Sequence, residues 1–417
     1  MSLIEESGEN MMPKRILVVC QHFWPEAFRI NDICTGFAEY GYEVEVLCGI
    51  PNYPKGQFYD GYGYTSNRRQ TYNSIEVRRC FEIKRGTNTN HRIFLNYMSF
   101  PISSTFSIPF LLRQKYDKIF LYQLSPVIMS FSGILLGKIK NIETVMYVLD
   151  LWPENLYTVL NIKSKLLRKV VESVSNWHYC KTDKLIANSQ KLQSILQERT
   201  GKHIDKLTYI PQFCEKIYET SIVDKKLTSR FAATFNLVFT GNISPAQSFD
   251  TVINAAVILR YRGFGDIKWI IVGDGMSRSW LESEVKEKGL DDYFIFIGQV
   301  AVEEIPKYTC IADCLFACLS KSELLDCALP AKVFSYYAAG RPLVFAMDGE
   351  IQYMVKESRA GYIVDSEDHE GLAGAIVELY NTSEEERMKM GKNARMYYYA
   401  NFEREKNMEK IIQFMEK

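Results

Sequence analysis

Short apolar runs alternate with helical patterns in two successive series, and this constrains the chain more than any other feature of it. Arg15-Ile-Leu-Val-Val-Cys20 is continuous apolar sequence of the kind buried on both faces of a parallel sheet. A loop over 21–29 leads to a helical pattern through Ile30, Ile33, Phe37 and Tyr40, and Glu43-Val-Glu-Val-Leu-Cys48 is the next strand. Strand, helix and strand in so short a stretch make a βαβ unit. The alternation predicts strands at 118–121, 144–149, 184–187 and 206–210, with helices at 126–140, 163–179 and 189–200. After a linker over 211–230 it restarts, with strands at 236–240, 268–272, 293–297, 314–317 and 342–346. Helices at 249–260, 276–288, 303–310 and 330–339 separate these, and others start near 350, 367, 383 and 403. The expected fold class is α/β, with two Rossmann-like, doubly wound parallel-sheet domains facing a central cleft. The boundaries read as a leader at 1–13, domains at 14–215 and 231–400, and a C-terminal helix at 401–417 that packs back on the first domain.

Charge adds an asymmetry. Residues 1–220 carry 27 Lys and Arg against 21 Asp and Glu, while the whole chain balances at 50 and 50. Arg68, Arg69, Arg78, Arg79, Lys84, Arg85 and Arg92 face only Glu76 and Glu82 within 62–92. That stretch is either a solvated face or a surface for anionic lipid or a phosphorylated substrate; no nucleic-acid partner is expected. The ten cysteines include no C-x-x-C pair, and Cys314-Leu-Phe-Ala-Cys318 reads as a buried strand. Reduced, buried thiols favour the cytoplasm. The apolar stretches at 100–112 and 119–139 are too short or too interrupted to span a bilayer.

Ligands of doubly wound sheets bind beyond the carboxyl ends of the strands. In the second half those ends hold Gly241 to Gln247, Gly273-Asp-Gly275, Gly298-Gln-Val300, the loop 320–329 and Asp348-Gly-Glu350. Gly241, Gly273 and Gly275 read as places where backbone amides approach an anion, reinforced by a following helix N-terminus. Neither half has a G-x-G-x-x-G fingerprint after its first strand or a Walker A loop, which argues against a simple dehydrogenase or kinase.

Ile271-Val-Gly-Asp-Gly275, Phe296-Ile-Gly-Gln-Val300 and the run from Lys332 through Gly340-Arg-Pro342 resemble the donor-binding domain of GT-B glycosyltransferases of family 4. Phe23-Trp-Pro-Glu26, Gly49-Ile-Pro-Asn-Tyr-Pro-Lys-Gly56 and Asp150-Leu-Trp-Pro-Glu154 resemble the capsule and O-antigen branch, including transferases of N-acetyl-L-fucosamine. The resemblance implies retaining transfer from a nucleotide-diphosphate sugar to an acceptor on the first domain, without metal or other cofactor. The chain also has no D-x-D pair to clamp a divalent ion. Gly241, Asn242, Gln247, Gly273, Asp274, Gly275, Gln299, Val300, Pro330, Ala331, Lys332 and Glu350 are the donor candidates.

The sequence also departs from the family. Relatives place Arg and Lys where Asn242 and Gln247 stand, and a Glu pair where Cys327 and Ser335 stand. Lys332 is the replacement phosphate cation or an exposed helix lysine, and Arg341 is the weaker candidate. Glu350 binds donor hydroxyls or caps the next helix. Asp150, Glu26 and His22 are the catalytic candidates. Asp150 orients the acceptor, polarises the departing sugar or caps a turn; Leu149 replaces the His that relatives place before it. Arg29, Asn52, Tyr53 and Lys55 are the acceptor contacts, with Glu26 offered to sugar hydroxyls and Arg29 to phosphate. Acceptors of this branch are often linked to polyprenyl diphosphate, which implies peripheral contact with the inner face of an anionic membrane. A sugar-nucleotide epimerase or hydrolase and a non-catalytic nucleotide-sugar binder are the competing functions.

Overall fold

A computed structural model describes residues 13–87, 89–154, 164–322, 325–327 and 329–417. The expected leader lies almost wholly outside the described residues, as does the first residue of the helix expected from 163. Among the described residues, fourteen strands form two sheets. The first contains β1 (Arg15–Val19), β2 (Glu43–Cys48), β3 (Arg69–Tyr72), β4 (Ile75–Arg79), β5 (Lys118–Gln123), β6 (Thr144–Val148), β7 (Lys184–Ala187) and β8 (Leu207–Tyr209), in the order β3-β4-β2-β1-β5-β6-β7-β8. The second contains β9 (Phe235–Thr240), β10 (Ile267–Val272), β11 (Phe294–Gly298), β12 (Cys314–Cys318), β13 (Leu343–Ala346) and β14 (Gly361–Val364), in the order β11-β10-β9-β12-β13-β14. Counted within the second sheet, this is the 3-2-1-4-5-6 order of the Rossmann fold. The order reverses between β9 and β12, as it does between β1 and β5 in the first sheet, and those are the switch points beside which such folds bind ligands.

Period-two alternation builds two cores on the second sheet. Leu237, Phe239, Trp269 and Ile271 join one apolar cluster with the helices Phe249–Tyr261 and His369–Asn381. Val238, Ile270 and Val272 join another with helix Ala331–Ala339. Successive side chains point to opposite faces, so a strand covered by helices on both sides has to be apolar throughout.

Several elements differ from the sequence reading. The basic stretch contains an antiparallel hairpin, β3 on β4, whose two-residue turn Asn73-Ser74 has φ of 47° and 66°. Positive φ at both central residues is the turn that matches strand twist, and here it forms without the glycine that would announce it. β14 is a half-buried edge strand of four residues that lacks the fully apolar pattern of the interior strands. The expected linker carries helix Lys225–Arg230, capped by Asp224 through the Lys226 and Leu227 amides at 2.9 and 3.1 Å.

The chain separates into two compact units. Unit 1 takes the described residues up to Val148, those from 164 to Leu185, and Glu416; unit 2 takes 149–154, the described residues of Ile186–Met415, and Lys417.

Candidate functional site

In unit 2 the loops after β9, β10 and β11 are tied edge to edge. The Gly241 amide donates to the Val272 carbonyl at 2.9 Å, Ile243 to Asp274 at 2.9 Å and Gly273 to Gly298 at 2.8 Å. The Gly275 amide donates to the Asp274 side chain at 2.8 Å. The amides of Gly241, Gly273 and Gly275 are therefore engaged within the protein in this arrangement. Glycine is needed at 273 for another reason. Its φ is 147°, and a Cβ there would lie 1.9 Å from the Gly241 carbonyl oxygen. The loops approach more closely than any side chain permits.

Lys332 stands at this junction. It is the second residue of helix Ala331–Ala339, whose N-cap Pro330 offers no side-chain acceptor. Its ammonium lies 3.9 Å from the centre of the Phe239 ring and donates to the Gln247 side-chain oxygen. A Cβ on Gly241 would stand 3.5 Å from the same nitrogen, so the glycine presents bare backbone to it. Burial lowers the Lys332 pKa to about 7. Ser320 fixes the loop carrying Gln247, its amide and hydroxyl each reaching a carbonyl, of Ala246 and Pro245 respectively, at 3.0 Å. An amine poised at the end of β9, beside the switch point and over an aromatic face, is suited to a phosphate that arrives with its own charge.

The remaining donor candidates divide. Asn242 joins the cluster, its Oδ1 2.5 Å from where a Cβ on Gly275 would be. Asp274 lies 3.8 Å from Arg278, which also binds Glu282 at 2.8 Å and faces Gly298. Arg278 is a cation at the strand ends that sequence reasoning missed, because its helix position carries no motif. Gln299 and Ala331 are exposed, and Val300 packs against the second apolar cluster. Glu350 starts helix Glu350–Ser358 and accepts the Gln190 amide at 3.1 Å, and burial raises its pKa. Arg341 donates to the Cys310 carbonyl. Asp150 is half-buried just after β6, next to Leu149, whose carbonyl accepts from Asn188 at 3.2 Å.

Unit 1 gathers a buried polar network at the ends of β1, β2 and β4. Glu26 is 1% exposed, and its carboxylate accepts the Asn52 and Tyr53 amides at 2.8 and 2.7 Å and meets His22 Nδ1 at 2.9 Å. Asn52 is 0% exposed, and its Oδ1 accepts from the Arg85 amide at 3.2 Å. His22 stacks on Phe28 with centroids 4.8 Å apart. Glu26, His22 and Asn52 are interior residues here, and they shape the loop around 50–56. Tyr53 and Arg29 are half-buried and Lys55 is exposed. The basic stretch is also largely structural. Arg79 is buried on the Gly49 and Trp24 carbonyls, and Arg85 is buried under Tyr53 and Tyr97. Arg78 pairs with Glu45 at 3.2 Å and lies 3.8 Å over the Phe110 ring.

Glu82 completes the network unannounced by the sequence. It is fully buried, and Gln21 and Asn96 donate to one of its oxygens at 2.7 Å each. A Cβ on Gly49 would fall 1.7 Å from the other, so Gly49 makes the space the carboxyl occupies. Burial pushes the Glu82 pKa from 4.5 up to about 7. A carboxyl raised in the folded state contributes stability at low pH and loses it as pH climbs from about 4.5 to about 7. Glu82→Gln is expected to remove that slope and to stabilise the protein by up to about 3 kcal/mol at pH 8. Urea denaturation at pH 5 and pH 8 measures it; equal effects at both would contradict a buried, protonatable Glu82.

Residues 230–397 match the family model described as glycosyl transferases group 1. A GDP-mannose-dependent alpha-(1-6)-phosphatidylinositol monomannoside mannosyltransferase of Mycobacterium tuberculosis is 29% identical over 146 residues, covering 34% of this chain and 37% of its own length. The chain thus spans well under half of that relative. Probable glycosyltransferase WbjE of Pseudomonas aeruginosa is 21% identical over 311 residues, 72% of this chain and 75% of that one. The structure of Anabaena Alr3699/HepE in complex with UDP superposes with a TM-score of 0.70 at 16% identity, over 96% of this chain and 98% of that one. The fold is that of GT-B glycosyltransferases, and the match to the group 1 family model lies within unit 2.

Proposed function

We propose that the chain is a retaining, metal-independent glycosyltransferase of the capsule and O-antigen branch. It moves a sugar from a nucleoside-diphosphate sugar, preferably uridine-linked, to a lipid-linked saccharide at the cytoplasmic face of a membrane. The observation that carries this reading is Lys332, held by Phe239 and Gln247 at the glycine-packed strand ends of the group 1 domain. The complex of HepE with UDP supports the uracil base, and the GDP-mannose dependence of the mycobacterial relative makes guanine the second choice. That relative acts on a phosphatidylinositol mannoside, which agrees with a lipid-linked acceptor.

Retention follows when the acceptor oxygen bonds to the anomeric carbon on the face from which the diphosphate leaves. The hydroxyl proton passes to the departing phosphate oxygen, so the protein has to stabilise charge more than supply a base. Lys332 and the N-terminus of its helix do this at the phosphate. Asp150 is assigned the orientation of the acceptor hydroxyl, and Asn242 hydrogen bonding to the diphosphate.

Incubation with radiolabelled UDP- and GDP-sugars, with and without polyprenyl-diphosphate saccharide, tests the reading. Label should move to the lipid fraction, with the same anomeric configuration as the donor, in the presence of chelator. Epimerised or hydrolysed donor without transfer, inverted product, or a requirement for manganese would each overturn it.

A further inference from the structure

Helix Lys165–Lys181 turns opposite faces to different surroundings. Ser175, His178 and Tyr179 are buried, while Leu166, Val170, Val174 and Trp177 are 74%, 52%, 39% and 37% exposed. Their spacing sets the four in one row along the outer face, where an amphipathic helix ordinarily carries its polar residues. Beside it, helix Asn90–Thr105 ends in Ile102 and the following Phe106, 53% and 80% exposed. A groove of about 600 Å³ runs between them, walled chiefly by Met98, Ile102, Phe106, Phe131, Val174 and Trp177. His178 reaches it too, but its Nδ1 faces the Val174 carbonyl at 2.7 Å and burial lowers its pKa, so it brings no charge to the floor.

Cations border this apolar opening. The Lys138 ammonium stands 5.1 Å from the Trp177 ring. Lys165, Lys169 and Lys181 are exposed on the same helix, which carries Glu172 as its acid. A second copy of the chain would bring the same positive charge to the face, and an uncharged apolar peptide would leave the lysines uncompensated. Apolar side chains and a tryptophan with lysines at their margin match the boundary of an anionic bilayer, with acyl chains below and phosphates at lysine height.

We propose that this groove and helix face seat on an anionic lipid surface, with Phe106, Val170 and Trp177 among the acyl chains. The inference rests on the membrane-linked acceptor proposed above and names the surface that meets the membrane; the basic stretch 68–92 is largely engaged elsewhere.

Flotation of the full chain with vesicles of phosphatidylglycerol and phosphatidylethanolamine in equal parts tests it. The parent should float, and vesicles of phosphatidylcholine alone should bind about tenfold less or weaker. Val170→Asp combined with Phe106→Asp should lower the vesicle partition coefficient at least about tenfold. Brominated lipid should quench fluorescence in the parent, and Trp177→Phe should abolish that quenching. A UDP thermal shift run on every variant separates the two readings. Loss of flotation with the shift retained, in the variants only, supports the surface. A parent that retains the shift but never floats, variants that float like the parent, or a dimer closed through this face by light scattering would overturn the surface and leave the donor reading standing. A missing UDP shift in a floating parent would strike the donor reading instead.

Discussion

Replacing Lys332 with alanine is expected to lower kcat/KM for the nucleotide sugar by about 10²- to 10³-fold, the effect of losing one charged group aimed at the leaving phosphate. The ammonium is held by a ring face and one amide oxygen, neither of which carries charge. Burial therefore disfavours the proton, and the Lys332 pKa falls to about 7. A bound diphosphate reverses this. Nucleotide affinity should be level below pH 7 and weaken by up to about tenfold per pH unit above it, with proton uptake on binding at pH 8. Calorimetry in buffers of differing ionisation enthalpy reads that proton directly, and Lys332→Ala should abolish it. Affinity independent of pH in the parent would remove Lys332 from the phosphate. The sign for stability is opposite to that for binding. The unfolded lysine holds its proton through the window from about 7 to its ordinary 10.5, where the folded one has lost it. Stability of the empty protein thus rises with pH across that window, and Lys332→Met should raise its Tm below pH 7 while destroying donor binding.

Glu26→Ala is expected to destabilise unit 1 by about 3–5 kcal/mol. It strips the acceptor from two backbone amides and from His22, all in the interior, and a buried donor left without a partner costs about 1–3 kcal/mol. Urea denaturation monitors the loss, and Glu26→Gln, which keeps one acceptor oxygen, should recover part of it. Because the amides belong to Asn52 and Tyr53, the acceptor KM should rise in Glu26→Gln while UDP affinity stays at the parent value. A variant as stable as the parent would show that the loop around 50–56 is held by other contacts.

Strands β1, β12 and β13 were legible because a strand covered on both faces is written as a nearly unbroken apolar run, and β2, β9 and β10 because apolar residues still dominate them. β3 and β4 were not, since a hairpin at a sheet rim mixes Arg69, Gln70, Glu76 and Arg78 with few apolar positions. Lys332 could be found by its place after β12 and at a helix start. The network of Gln21, Glu82, Arg85 and Asn96 could not, because Glu82 and Arg85 stand in what reads as a solvated charge run. Only the tertiary structure shows Gly49 opening room for the carboxyl. The glycines of the donor loops also serve the packing of the protein itself. Their lack of a side chain serves the approach of one protein backbone to another, a cause that spacing alone cannot tell from ligand binding.

The β3 hairpin also has a consequence for solubility. A parallel sheet that stopped at β4 would end in a straight row of unsatisfied peptide groups, an invitation to any extended chain nearby. β3 occupies that row with four residues running the other way, two of them, Arg69 and Thr71, exposed. A rim this brief, with an arginine standing on it, gives an incoming strand little to zip along, so the first sheet is protected from growing into fibres.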